Sequence, residues 1–210
     1  MSAPVRSKLI RGIQDPRRAW NAIRGRLRGH AFKLWCSLFR PRIQIGRNLI
    51  LDGKLKIRGP GRVIFGNNVV VSMAVTPYTY AADAVIEIGD KVFLNGTRFS
   101  CKHRVRVGSG SILAECRITD YDFHSTNPHH RNDDAYIRGA PVTIEENVWI
   151  AVDCIVQKGV TVGRNSTVAA LSLVRSDIPP NSIAGGNPAV VWKELVDREV
   201  LKPDLLPERT

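Results

Sequence analysis

The residues best suited to chemistry crowd into one stretch. Residues 119–141 hold Asp120, Asp122, His124, His129, His130, Arg131, Asp133, Asp134 and Arg138, with three of the chain's five histidines. Histidine accepts and returns a proton near neutral pH, so a general base is sought here first. The chain has no Gly-rich phosphate loop, no Gly-x-Ser-x-Gly elbow and no motif marking a nucleophilic Cys/His pair. A covalent nucleophile therefore has little support. Cys36, Cys101, Cys116 and Cys154 stand far apart, a pattern of buried small hydrophobes in a reducing compartment.

The elements around this stretch repeat with period six. Ile144, Ile150, Val156, Val162, Val168 and Val174 are spaced by six without a miss. Four residues after each comes Val148, Cys154, Val160, Ser166, Ser172 or Ile178, always small or β-branched. A helix needs apolar spacings of three and four, and a simple strand needs two. A strict six fits a short strand and a turn, three of which make one coil of about 18 residues in a parallel β-helix. Upstream, an apolar residue, Gly and two polar or small residues recur at Ile45–Asn48, Phe65–Asn68, Ile88–Lys91 and Val107–Gly110, with glycine and asparagine expected to supply positive φ. The register breaks over 119–141, and a loop thrown out of a rigid scaffold is where function is expected.

The spacing divides the chain into a basic, partly helical arm over 1–42, a β-helix over 43–178 carrying loop 119–141, and an extension over 179–210. That extension leaves the β-helix at Pro179-Pro180 and ends in a short helix suggested by Trp192, Leu195, Val196 and Val200. The formal net charge is +12, but residues 1–42 hold eleven basic residues and one acid, leaving +2 for the rest. This argues against a nucleic-acid-binding domain, whose charge should cover the folded surface. Trp20, Ile23, Leu27, Ala31, Leu34 and Leu38 follow helical spacing among arginines, interrupted by Gly25 and Gly29 at about 1 kcal/mol each. Such a helix either lies on an anionic membrane or covers the open end of the β-helix, and the two readings are compatible. No stretch reaches the roughly 20 apolar residues of a membrane span, and no secretory signal is expected, so cytoplasm is the default, with peripheral contact at the inner membrane face.

The run IEENVWIAVDCIVQKGVTVGRNSTVAALSLVRSDIP (144–179), the ending IAGGNPAVVWK (183–193) and the loop ITDYDFHSTNPHHR (118–131) together resemble the hexapeptide-repeat acyltransferases, in the sugar O-acetyltransferase branch. The resemblance spans about residues 43–193. It implies an all-β, left-handed parallel β-helix working as a homotrimer, with coenzyme A in the groove between two subunits. It also implies an acetyl-CoA-dependent transfer to a sugar hydroxyl in polysaccharide biosynthesis, with no metal. The loop histidine that takes the hydroxyl proton maps to His124; the hydroxyl then attacks the thioester directly. Asp120 or Asp122 would fix its tautomer, as a carboxylate does in hydrolase triads. Asn95 maps to an acceptor contact, with His129 and Arg131 as further acceptor contacts. Trp149, Ala151, Val152, Ala169 and Ala170 map to coenzyme A contacts. The family's usual Thr-Lys pair is Arg175-Ser176 here, and Arg175 is the candidate for a phosphate. The alternatives are an N-acyltransferase on an amino sugar, a zinc hydratase of the carbonic anhydrase type that would use His124, His129 and His103, and a non-catalytic scaffold.

Overall fold

Each hexad folds into one short strand and one corner, and three of them close a coil. Val142–Ile144, Trp149–Ile150 and Ile155–Val156 make one such coil. The computed structural model describes residues 16–195, and in it about seven turns stack into a three-sided β-solenoid. Strands of successive coils pair in parallel. The first sheet runs from Ile43–Ile45 to Thr161–Val162, the second from Ile50–Leu51 to Ser182–Gly186, and the third from Lys54–Leu55 to Leu173–Val174.

The expected inward positions are inward. Ile144, Ile150, Val156, Val162, Val168 and Val174 are buried, and so are Val148, Cys154, Val160, Ser166, Ser172 and Ile178 at the corners. All four cysteines are free and buried. In the recurring motif, which Val162–Asn165 repeats within the regular coils, the fourth residue takes positive φ each time: Asn48, Asn68, Lys91, Gly110 and Asn165. The motif glycine serves another purpose. A Cβ on Gly46, Gly66, Gly108 or Gly163 would overlap the backbone of the next coil, so these glycines permit close stacking.

Two boundaries differ from the sequence reading. The solenoid does not end at Pro179-Pro180. Ile183 and Ala184 pair with Thr167 and Val168, continuing the second sheet. The prolines occupy a corner, where no ladder N–H is needed, and the Pro179 carbonyl accepts the Ser166 hydroxyl. Nor does the chain turn helical at Trp192. Ala189–Glu194 is a strand that folds back antiparallel onto Ser182–Gly186, satisfying the backbone edge that the last coil leaves open. The expected helical positions Val196 and Val200 lie outside the described residues.

The helix α1 (Pro16–Phe39) covers the other end, but with an unexpected face. Gly25, Gly29 and Cys36 are buried against the first coil, and Phe32 packs on its core. A Cβ on Gly29 would overlap the Leu49 carbonyl, and one on Gly25 the Asp52 carboxylate. The glycines read as penalties are the packing surface. The stripe of Trp20, Ile23, Leu27, Leu34 and Leu38 points away from the solenoid and is exposed. Arg28 donates to the Gly53 carbonyl at 2.8 Å and Lys33 to that of Gly46 at 3.0 Å, fastening the helix at its flanks.

Gly29→Ala sets two effects against each other. The helix gains about 1 kcal/mol of intrinsic propensity, while docking meets an overlap costing about 1–3 kcal/mol. The overlap should win, so urea denaturation should show a net loss of stability; a gain would contradict the close packing.

Candidate active site

Loop 119–141 leaves the third sheet after Arg117–Thr119 and returns to the first at Val142. Its neck is a short antiparallel pairing: Tyr121 bridges Gly139, Asp122 N donates to the Arg138 carbonyl, and Ala140 N to that of Asp120. Two 3-10 turns follow, Pro128–His130 and Asp134–Tyr136, capped by the Asn127 and Asp133 side chains. The loop is thus an ordered platform held by its own polar side chains.

His124 stands exposed on it. Its Nδ1 lies 3.1 Å from Asn132 Oδ1. Neither expected carboxylate reaches it. Inward alternation from Ile118 buries Asp120, whose oxygens accept from Lys102 N at 2.7 Å, His103 N at 2.8 Å and Cys101 Sγ at 3.3 Å. Asp122 pairs with Lys158 at 2.6 Å. The assignment of either as the partner of His124 is therefore corrected: Asp120 fastens the neighbouring corner, Asp122 ties the neck to the next coil, and Asn132 holds the histidine. Sequence reading missed Asn132 because it sits eight residues on, where only the loop's fold brings it back.

The other loop candidates divide. His129 is exposed. His130 stacks on Tyr136 with ring centroids 3.9 Å apart. Arg131 donates to the Ser125 carbonyl at 3.1 Å and so closes the loop on itself. Among the described residues, no three His, Cys, Asp or Glu side chains gather in a metal-binding arrangement.

The cofactor candidates follow the period. Ala151 and Ala169, like Val152 and Ala170, are one coil apart and stack on the edge between the second and third sheets. Asn95 ends a second-sheet strand at that edge, and Trp149 stands half-exposed on the second sheet beside it. Arg175 does not join them. It follows Leu173–Val174, one strand further round, and so lies on the edge from which the loop emerges. Ala151, Ala169 and Ala170 keep the side chains along the first edge short, as a thin pantetheine arm needs. The residues present fit coenzyme A there, Arg175 excepted.

The thiols are poor nucleophiles. Burial, with the Asp120 carboxylate beside it, pushes the Cys101 thiol far above its ordinary value. Burial raises Cys116 to about 12 and raises Cys154 as well. Such groups stay protonated at neutral pH.

The bacterial transferase hexapeptide family (six repeats) matches residues 141–176. The galactoside O-acetyltransferase of Escherichia coli is 31% identical over 127 residues, covering 59% of this chain and 61% of that protein. The putative colanic acid biosynthesis acetyltransferase WcaF of the same organism is 28% identical over 157 residues, covering 74% of this chain and 71% of that protein. Among solved structures, the N-acyltransferase AntD from Bacillus cereus, crystallised with a dTDP-amino sugar and coenzyme A, superposes with a TM-score of 0.63 at 18% identity. That match covers 78% of this chain and 90% of AntD. The polysialic acid O-acetyltransferase OatWY gives 0.61 at 20%, covering 73% and 74%. The family model thus falls on the regular coils, and the chain spans 61% of the length of the galactoside enzyme that it resembles. By sequence the chain is similar to a galactoside O-acetyltransferase and to a putative acetyltransferase of colanic acid biosynthesis.

Asp120→Ala strands two backbone N–H groups beside the core and should cost roughly 3 kcal/mol. Asp122→Ala removes a half-exposed ion pair and should cost under about 1 kcal/mol. Urea denaturation of the two variants checks this; equal losses would contradict the structural role of Asp120.

Proposed function

We propose that this protein is an acetyl-CoA-dependent O-acetyltransferase acting on a hydroxyl of a sugar or polysaccharide precursor. The observation that carries this is the exposed His124, oriented by a neutral amide on a loop of a hexapeptide-repeat solenoid. With Asn132 Oδ1 as acceptor, Nδ1 carries the proton and Nε2 keeps its lone pair. Nε2 then takes the proton as the acceptor oxygen attacks the thioester carbonyl; the C–S bond breaks and the imidazolium returns that proton to the departing coenzyme A thiolate. Acetyl-CoA supplies an acyl group activated for direct transfer. Asn132 is a positioning residue, and its uncharged amide holds the ring without tying a carboxylate to it.

The remaining machinery splits between two edges. His124 belongs to the edge between the third and first sheets, while Asn95, Ala151 and Ala169 belong to the other edge of the third sheet. A second copy would bring its own edge against the loop, which supports the homotrimer implied by the resemblance. So does the outer face of the second sheet, where Ile50, Val70, Phe93, Ile112 and Trp149 form an in-register apolar ladder. We also infer a left-handed sense for the solenoid, as the resemblance to the hexapeptide-repeat acyltransferases implies. Transfer to an amino group is the second reading. The AntD likeness suggests it, whereas the sequence matches to O-acetyltransferases favour oxygen.

His124→Ala should lower kcat about 10²–10⁴-fold while leaving the stabilisation by acetyl-CoA intact, about 2.7 kcal/mol at a hundredfold excess over Kd. Asn132→Ala should lower kcat less, and Asp122→Asn least. Wild-type turnover by His124→Ala, measured by release of free coenzyme A thiol over a panel of sugars, would sink the mechanism.

The arm belongs to the same reading. Among the described residues, no helix is long and apolar enough to cross a membrane. The outer stripe of α1 lies opposite its glycine face, and Arg24 and Arg26 flank it on the two sides. Between residues 20 and 42 six basic residues stand with no acid. That charge complements an anionic lipid surface, on which the stripe would sink while the arginine stems reach the headgroups. Full-length protein should float with vesicles containing phosphatidylglycerol and stay behind with pure phosphatidylcholine. Leu27→Glu/Leu34→Glu should abolish flotation without changing the melting temperature. Retained flotation would exclude this face, and self-association lost in the same variant would assign it to a second copy.

A further inference from the structure

The third sheet and the start of the loop that leaves it carry features that His124, the coenzyme edge and the arm do not use. Tyr78 and Tyr80 stack with centroids 4.2 Å apart and planes 22° from parallel. Tyr80 continues to Tyr121 at 5.1 Å and Phe123 at 5.9 Å, and the latter two are 4.7 Å apart. Tyr121 is the buried floor of this row, whereas Tyr78, Tyr80 and Phe123 are 38%, 41% and 50% exposed. The row ends one residue from His124. Its other end, Tyr78, lines a groove of about 640 Å³ on the third sheet.

That groove is rich in cations. Arg98 and Arg117 sit in register on adjacent strands, about 4.8 Å apart along the stack. Arg58 is bridged to Tyr78, and Lys56 lines the same groove. Like charges directly opposite on neighbouring strands are destabilising. Glu115 and Asp153 bound one end of the groove, yet among the described residues none of the four cations forms a salt bridge. Elsewhere on the solenoid the paired pattern holds: Arg104 meets Glu87 at 2.8 Å. An unrelieved arginine pair beside an exposed aromatic row has two needs, an oxyanion and a flat apolar face. A saccharide bearing an acidic group supplies both, since the C–H face of a pyranose lies flat on an aromatic ring.

We propose that the third sheet is the acceptor subsite and that the acceptor is an acidic saccharide. Its rings lie along Tyr78, Tyr80 and Phe123, and its carboxylate or phosphate oxygens meet Arg98, Arg117 and Arg58. The row then delivers a hydroxyl to His124. This assignment rests on the acetyl-transfer reading for its role, but the binding it describes does not need transfer.

The test is titration calorimetry on the full chain without acetyl-CoA, with three probes. Oligogalacturonate offers carboxylates, glucose 1-phosphate offers a phosphate, and maltohexaose offers neither. At least one acidic probe should bind tenfold or more tightly than maltohexaose, with an affinity that falls as salt rises. Whichever acidic probe binds names the oxyanion. Arg98→Gln/Arg117→Gln should erase the preference and, by removing repulsion, leave the melting temperature unchanged or higher. Tyr78→Ala should weaken the acidic probe several-fold. Equal binding of maltohexaose, no binding of any probe, or indifference to either variant would overturn the proposal. A protein that binds the acidic probe and transfers no acetyl group keeps the subsite and loses only the transferase reading. If Arg98→Gln/Arg117→Gln instead weakens stabilisation by acetyl-CoA, the arginines serve the coenzyme and the proposal fails.

Discussion

Everything in this molecule depends on how closely one coil can lie on the next. Parallel strands sit about 4.8 Å apart, so every inward side chain must fit both its own coil and the two that sandwich it. Gly46, Gly66, Gly108 and Gly163 serve that spacing, because a side chain at any of them would strike the backbone of the next coil. The same constraint makes position predictable. A residue one coil along in sequence is a neighbour in space, and a residue one hexad along belongs to the next edge. Loops are tolerated only at corners, where the ladder is already interrupted.

Within that frame the polar chemistry sorts itself by direction. Asp120 points in, so it is spent on the N–H groups of a corner. Asp122 points out and meets the Lys158 ammonium. His124 is two residues further on, beyond the neck, and there its ring meets an amide oxygen, Asn132 Oδ1, where the sequence reading expects a carboxylate. The scaffold is rigid and the loop is built on it by hydrogen bonds, so the histidine is held without needing a buried charge beside it.

The regular coils were legible because six is a period that no other element produces, and each inward position of 144–178 follows it. The loop was legible as the place where the period fails. What was not legible was direction. Alternation carried through Ile118 would have turned Asp120 inward, and counting hexads would have put Arg175 one edge away from Ala169. In α1 the apolar stripe suits either a membrane or the open end of the solenoid, but the helix packs on the solenoid where it is thinnest. Gly25, Gly29 and Cys36 repeat at helical spacing, and that repeat was the available signal. The aromatic row was hidden because Tyr78 and Tyr121 lie on separate coils. Its trace in the sequence is two pairs at strand spacing, Tyr78 with Tyr80 and Tyr121 with Phe123.

The strand that folds back at the end has a consequence of its own. A parallel stack is in principle endless, since each coil presents the next with the same row of donors and acceptors. Running Ala189–Glu194 in the opposite direction breaks that invitation, because a further parallel coil would meet a strand of the wrong polarity. At the other end a helix, with its donors and acceptors turned inward on themselves, offers no template at all. The second sheet thus ends at both poles on an element that offers no template for another parallel coil.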